Sequence, residues 1–170
     1  MQISRRLINV VANVCLLVSA GALGTAVWQK YSQAHRLARS QTRLPFQPGD
    51  RAPVISGISY REQSSSLVIF LSTMCHYCES SVPFYNRLTG LSSHRGLRLF
   101  AVFAQPEDQV QSFRGRLGLL VDSVPGVNFS RIRVGSTPTV LLIDRIGVIK
   151  RTWVGVSTQN EAEIIRALAE

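Results

Sequence analysis

Cysteine is scarce in this 170-residue chain: there are three, and Cys15 sits inside an apolar N-terminal run, so Cys75 and Cys78 are left as a single pair. One local pair cannot staple a fold, which excludes a disulfide scaffold and leaves redox chemistry or metal binding. Lysine is scarcer still, 2 residues against 17 arginines, and only 10 residues are acidic, so the net charge of +9 is an arginine charge. The arginines are spread along the chain without a basic stripe or interleaved aromatics on one element, which sets nucleic-acid binding aside. A solvated, compositionally biased surface accounts for them. Internal repeats and low-complexity tracts are missing as well, so a repeat architecture is excluded. What remains, with 45% apolar residues, is one ordinary domain with an extension.

Charge is absent altogether from residues 7–28. As a helix this stretch would span roughly 33 Å, the thickness of a bilayer's hydrocarbon core. Residues 1–6 are then a short basic cytoplasmic head and 7–28 a transmembrane anchor or signal. The length favours an uncleaved anchor, because the apolar region of a signal peptide runs to about 7–15 residues. Residues 29–47 form a polar linker. Lys30, Arg36, Arg39 and Arg43, with Arg51 just beyond, lie where they could meet anionic headgroups. The globular domain is expected over 48–170.

The chemistry concentrates in Ser72-Thr73-Met74-Cys75-His76-Tyr77-Cys78-Glu79, where an apolar run ends and a helical pattern begins. Cysteines at C-x-x-C spacing on a first helical turn face the same way, close enough to bridge. Cys75 stands at the helix start, where unpaired backbone N–H groups favour a thiolate. Cys78 lies one turn deeper. The first sulfur is therefore the expected nucleophile and the second the resolving partner.

Around this stretch the periodicities predict an α/β pattern. A short edge strand is expected over 54–60, a strand buried on both faces over 66–72, and one helix over 76–95, kinked at Pro83, with Val82, Tyr85, Leu88 and Leu91 inside. A strand follows over 97–103, then a helix opening at Pro106-Glu107-Asp108 with Val110, Phe113 and Leu117 inside. Next come a short strand over 118–122 and a helical turn over 128–133. Strands over 140–143 and 148–153 are joined by a hairpin at Asp144-Arg145-Ile146-Gly147, and a last helix covers 159–168. This order describes a mixed central sheet with helices on both faces.

Over residues 45–169 the chain resembles thioredoxin-fold proteins, and more narrowly the membrane-anchored thiol-disulfide oxidoreductases of the TlpA/ResA type. The likeness is carried by Pro48-Gly49-Asp50-Arg51-Ala52-Pro53, the strand ending in Cys75-His76-Tyr77-Cys78, Pro83, Gly135-Ser136-Thr137-Pro138-Thr139, Leu142-Ile143-Asp144 with Gly147, and Trp153-Val154-Gly155. It implies a thioredoxin-like fold and a cis peptide bond between Thr137 and Pro138 facing the cysteines, with His76, Tyr77, Thr137 and Pro138 as active-site neighbours. It also implies clients that are cysteine pairs of exported proteins, apocytochromes among them, and a membrane thiol electron donor. The reductase direction, as in cytochrome c maturation, goes with these, and no cofactor or metal is implied. The expected location is the bacterial inner membrane, single-pass, with the catalytic domain on the extracytoplasmic side.

The chain also departs from that pattern. Met74 replaces the tryptophan common in thioredoxins, and Ile69 stands where thioredoxins bury an aspartate. Ser81 takes the place of a glutamate found in some TlpA/ResA-type proteins, so the usual proton acceptor for Cys78 is missing. Glu79 is the nearest carboxylate in sequence. His76 would favour a Cys75 thiolate if charged, although a helix N-terminus disfavours an imidazolium.

Two alternatives are kept. A thioredoxin-fold Cu(I) metallochaperone would need a third ligand, for which His94 is the candidate. A peroxiredoxin-like peroxidase would use the Ser-x-x-Cys at 72–75, though Val68 stands where its proline is expected. Structural zinc lacks ligands, and c-type haem attachment fails because Glu79, not histidine, follows Cys78.

Overall fold

The computed structural model describes residues 46–92, 96–155 and 157–169. The anchor or signal at 7–28, the linker to residue 45, and His94 lie outside the described residues. Among the described residues no helix is long and apolar enough to cross a membrane.

The sheet is built around β1 (Ser65–Leu71), whose residues 66 to 71 are all buried, as expected for a strand covered on both faces. It pairs in parallel with β2 (Leu97–Phe103) and antiparallel with β4 (Thr139–Asp144). β3 (Asp122–Val124) adds in parallel beyond β2, and β5 (Ile149–Val154) antiparallel beyond β4, giving the order β3-β2-β1-β4-β5. The β4–β5 turn is held by Asp144, whose carboxylate accepts from the N–H groups of Ile146 (3.0 Å) and Val148 (2.9 Å). Gly147 there takes φ +79°, where a side chain would be strained.

Among the described residues four α-helices complete the domain: α1 (His76–Ser80), α2 (Val82–Ser92), α3 (Glu107–Leu117) and α4 (Thr158–Ala167). Their buried residues, among them Cys78, Tyr85, Leu88, Val110, Phe113 and Ile164, pack in one cluster with Leu67, Ile69 and Leu71 of β1. The alternate residues Val68 and Phe70 belong to a second cluster. It is closed by Phe46, Ile55, Ile58, Tyr60 and the segment 127–134. Among the described residues the α-helices lie on one face, which corrects the sequence expectation of helices on both. The topology supplies the reason. The crossovers β1 to β2 and β2 to β3 step in the same direction along the sheet, and two right-handed crossovers in one direction leave their helices on the same side.

Four further expectations are corrected. Residues 54–60 form no strand: Gly57, at φ +85°, turns the chain, and Tyr60 Oη donates to Pro53 O at 2.8 Å, leading into a 3-10 turn at Tyr60–Glu62. The helix expected over 76–95 is two helices that meet at Ser81. Proline lacks the N–H that an unbroken helix would send back to Glu79, and Pro83 sits in the first turn of α2, where none is needed. Leu91 is exposed because a spacing of three drifts backward on a 3.6-residue helix, so a residue nine beyond Val82 faces the opposite side. The strand expected over 118–122 starts only at Asp122, since Gly118 (φ +67°) ends α3 in a left-handed cap and the next residues return the chain to the sheet.

Candidate active site

β1 ends at Leu71, and its neighbour β2 ends in parallel at Phe103, so the loops after both strands meet at one edge of the sheet. Gln105, from the second loop, fastens the first: its Nε2 donates to Ser72 Oγ (3.1 Å), and its Oε1 accepts from the Thr73 N–H (3.5 Å). Ser72 Oγ accepts from the Met74 N–H (3.3 Å), and Ser72 O from the Cys75 N–H (3.2 Å). Cys75 therefore arrives fixed, as the N-cap of α1. Sequence reasoning missed Gln105, since nothing local marks a glutamine 30 residues downstream of Cys75 as its support.

Both cysteines are free thiols. Cys75 is half-buried; Cys78 is fully enclosed. The Cys78 N–H donates to Cys75 Sγ at 3.2 Å, and the Cys75 thiol reaches Thr137 O at 3.4 Å. Thr137 precedes Pro138 through a cis peptide bond, the geometry that the resemblance implied. Pro138 is buried, and its carbonyl accepts from the Gly155 N–H at 2.8 Å, which ties the loop to the end of β5.

The two thiols are driven apart electrostatically. Partial burial pulls Cys75 upward, but hydrogen bonds from Cys78, from the Thr137 side chain, and from the backbone at Cys78 and Tyr77 outweigh it, so the thiol lies below its ordinary range. Burial pushes Cys78 up to about 12; its hydrogen bond to Cys75 and the charge there act the same way, while Ser72 and Thr137 act against. Of the two sulfurs, Cys75 is the more readily ionised and Cys78 the one held as a thiol.

The neighbours divide between brought together and turned away. Thr137 stands against the pair, joined to the buried Pro138, whereas His76 and Tyr77 project outward, their rings edge to face at 6.0 Å. With Met74 (88% exposed) and Tyr77 (67%), the rim around Cys75 is an accessible apolar surface. Glu79 points away: its carboxylate takes Arg116 of α3 at 2.6 Å, and that guanidinium holds it below the usual carboxylate range. Ser81 Oγ donates to Tyr77 O at 2.6 Å. Among the described residues no three His, Cys, Asp or Glu side chains gather as a metal-ligand set. Val68, at the peroxidase proline position, is buried inside β1.

This arrangement, a half-exposed sulfur capping a helix with a buried sulfur one turn on and a cis-proline loop opposite, defines a thioredoxin-like dithiol protein. No family model matches the chain. It is similar to the thiol-disulfide oxidoreductase ResA of Geobacillus kaustophilus, 26% identical over 160 residues that cover 91% of each chain. ResA of Geobacillus thermodenitrificans is 27% identical over 165 residues, covering 89% of this chain and 90% of that one. In structure it is similar to the thioredoxin domain of a thiol-disulfide oxidoreductase from Bacteroides vulgatus (TM-score 0.63, 15% identity, 74% of this chain and 99% of that one). StoA of Bacillus subtilis follows the same fold (TM-score 0.54, 19% identity, 64% and 84%). The chain is a thiol-disulfide oxidoreductase, and its similarity to ResA supports the ResA-type resemblance drawn from the sequence.

Proposed function

We propose that this protein is a membrane-anchored reductase of cysteine pairs in exported proteins. The Cys75 thiolate attacks a client disulfide, forms a mixed disulfide and releases one client thiol; Cys78 then attacks Cys75 Sγ, releases the second and leaves a Cys75–Cys78 disulfide. A membrane thiol donor returns the pair to the dithiol. The observation that carries this reading is the asymmetry of the two thiols, one depressed and accessible, the other raised and enclosed. The direction and the clients, apocytochromes of the cytochrome c maturation type, follow the ResA resemblance. The uncharged run at 7–28 supports a single-pass anchor in the bacterial inner membrane with the domain on the extracytoplasmic side.

The test is a redox titration of the purified full chain against dithiothreitol and glutathione buffers, with Cys75→Ser and Cys78→Ser beside it. A reversible Cys75–Cys78 disulfide at a strongly reducing potential, with Cys78→Ser trapping a mixed disulfide on Cys75, is expected. A potential near those of oxidases would reverse the direction, and no reversible disulfide at all would end the proposal. Protease accessibility in spheroplasts, with cleavage of the domain expected, checks the topology.

A further inference from the structure

β1 ends at Leu71 and α1 begins at His76, so Cys75 closes the connection 72–75 as the N-cap of a helix only 5 residues long. A helix that short does not hold its own cap in place, and the support has to come from outside it. It comes from one side chain. The Gln105 carboxamide spans the connection, donating to Ser72 Oγ at 3.1 Å and accepting from the Thr73 N–H at 3.5 Å. Ser72 passes that placement on, since its Oγ accepts from the Met74 N–H and its carbonyl from the Cys75 N–H. On the other side, the Gln105 carbonyl accepts from the Gly126 N–H at 2.8 Å and Phe103 O from the Val127 N–H at 2.9 Å, so the glutamine is itself fastened to the loop after β3. At the reacting end the margin is small: the Cys78 N–H is shared between Cys75 O at 3.0 Å and Cys75 Sγ at 3.2 Å. A slight displacement of Cys75 moves that donor from the sulfur to the carbonyl.

We propose that Gln105 is a positioning residue for Cys75: through Ser72 it fixes the backbone from which the Cys75 sulfur meets the Cys78 N–H. This rests on the proposed function, in which Cys75 is the attacking thiol. An N–H held on the sulfur favours the thiolate over the thiol, and hydrogen bonds of this kind are what lower Cys75. Without the carboxamide the connection 72–75 is freer, and the shared N–H meets the sulfur less often. Less of Cys75 is then ionised at neutral pH, and attack on a disulfide slows. The dithiol form also loses stabilisation relative to the disulfide, which moves the reduction potential toward the reducing side. The titratable groups around the sulfur are Cys78, Tyr85, His76 and Glu79 with its partner Arg116. All of them are present with or without the carboxamide.

The test measures alkylation of Cys75 by iodoacetamide against pH in the full reduced chain, with the reduction potential beside it. Gln105→Met keeps the length of the side chain and removes both hydrogen-bonding ends. It should raise the midpoint by about half a unit and slow alkylation about threefold below it, with the rate regained at higher pH. Ser72→Ala, which removes the other end of the bridge, should act in the same direction, and the double variant should go little further than the larger single one, because the two share one bond. Asn86→Ala is the control. Its carboxamide bridges backbone in the same way, donating to Gly118 O at 2.7 Å and accepting from the Leu120 N–H at 2.9 Å, but in a different loop. That variant should lower the melting temperature and leave the Cys75 midpoint and the potential in place. An unmoved midpoint in Gln105→Met would overturn the proposal, as would fully additive shifts or an equal shift in Asn86→Ala, which marks general loosening. Alkylation of Cys78 ahead of Cys75 in the unsubstituted chain would overturn the attacking-thiol reading itself, and is thereby distinguished.

Discussion

Cys75 and Cys78 are the same residue type three positions apart, and the difference between them is one of environment. Cys75 caps α1 and receives the Cys78 N–H; Cys78 faces the apolar cluster between helices and sheet. Alkylation of Cys75 by iodoacetamide should accordingly rise with pH at a midpoint below that of an ordinary thiol, because its ionised form is the stabilised one. Cys78 should stay unmodified until strongly alkaline pH, and peptide mapping by mass spectrometry reads both. Glu79 offers a contrast. Its pairing with Arg116 spans 37 residues and directs the carboxylate away from the sulfurs. Glu79→Gln should therefore leave the pH profile of the resolving step unmoved, and a shift would show that the carboxylate handles the Cys78 proton. The cysteines and their order were legible from spacing; the fate of Glu79 was not, since its partner is on another helix.

At the level of elements, local signals carried far. β2 runs over Leu97–Phe103 as its apolar pattern indicated, and α4 begins within one residue of its expected start, with Ser157 Oγ accepting from the Asn160 N–H at 3.1 Å as a cap. The misplaced strand after α3 shows the limit. Apolarity in Leu119 and Val121 comes from burial of a loop, while the chain direction there is set by Gly118. A Cβ at Gly118 would meet nothing within 4 Å, so Gly118→Ala tests backbone conformation alone. A loss of about 1 kcal/mol in urea denaturation is expected. A neutral result would mean that the cap relaxes to a right-handed turn.

For the molecule as a whole, three weak acids, Cys78 and Tyr85 buried and Tyr60 half-buried, dominate the alkaline limb of stability. Cys78 and Tyr60 are both raised to about 12, from ordinary values of 9.0 and 10.0, and Tyr85 is raised further, in each case first by burial. The folded chain keeps these protons over a range where the unfolded chain has lost them. Folded protein then binds more protons than unfolded, and stability falls as pH rises from about 9 toward 12. Cys75 acts oppositely but is spent by pH 9, because its folded value lies below the unfolded one. Thermal melts of the reduced chain should show this decline, and Cys78→Ser should make it shallower. A flat profile across that range would contradict the burial of these groups.

While the proline loop that faces the reactive pair came from the family resemblance, the sequence by itself determined the pair, its place at a helix start, and most strand and helix positions. These depend on residue types and periods read over a few neighbours, which is the range over which backbone propensity and capping act. Only the tertiary structure decided that the α-helices share one face, that Gln105 steadies the loop before Cys75, and that Arg116 takes Glu79 away. Each of these joins residues distant in the chain, or depends on which way a crossover turns, and the contacts exist only once the sheet order has brought those elements together.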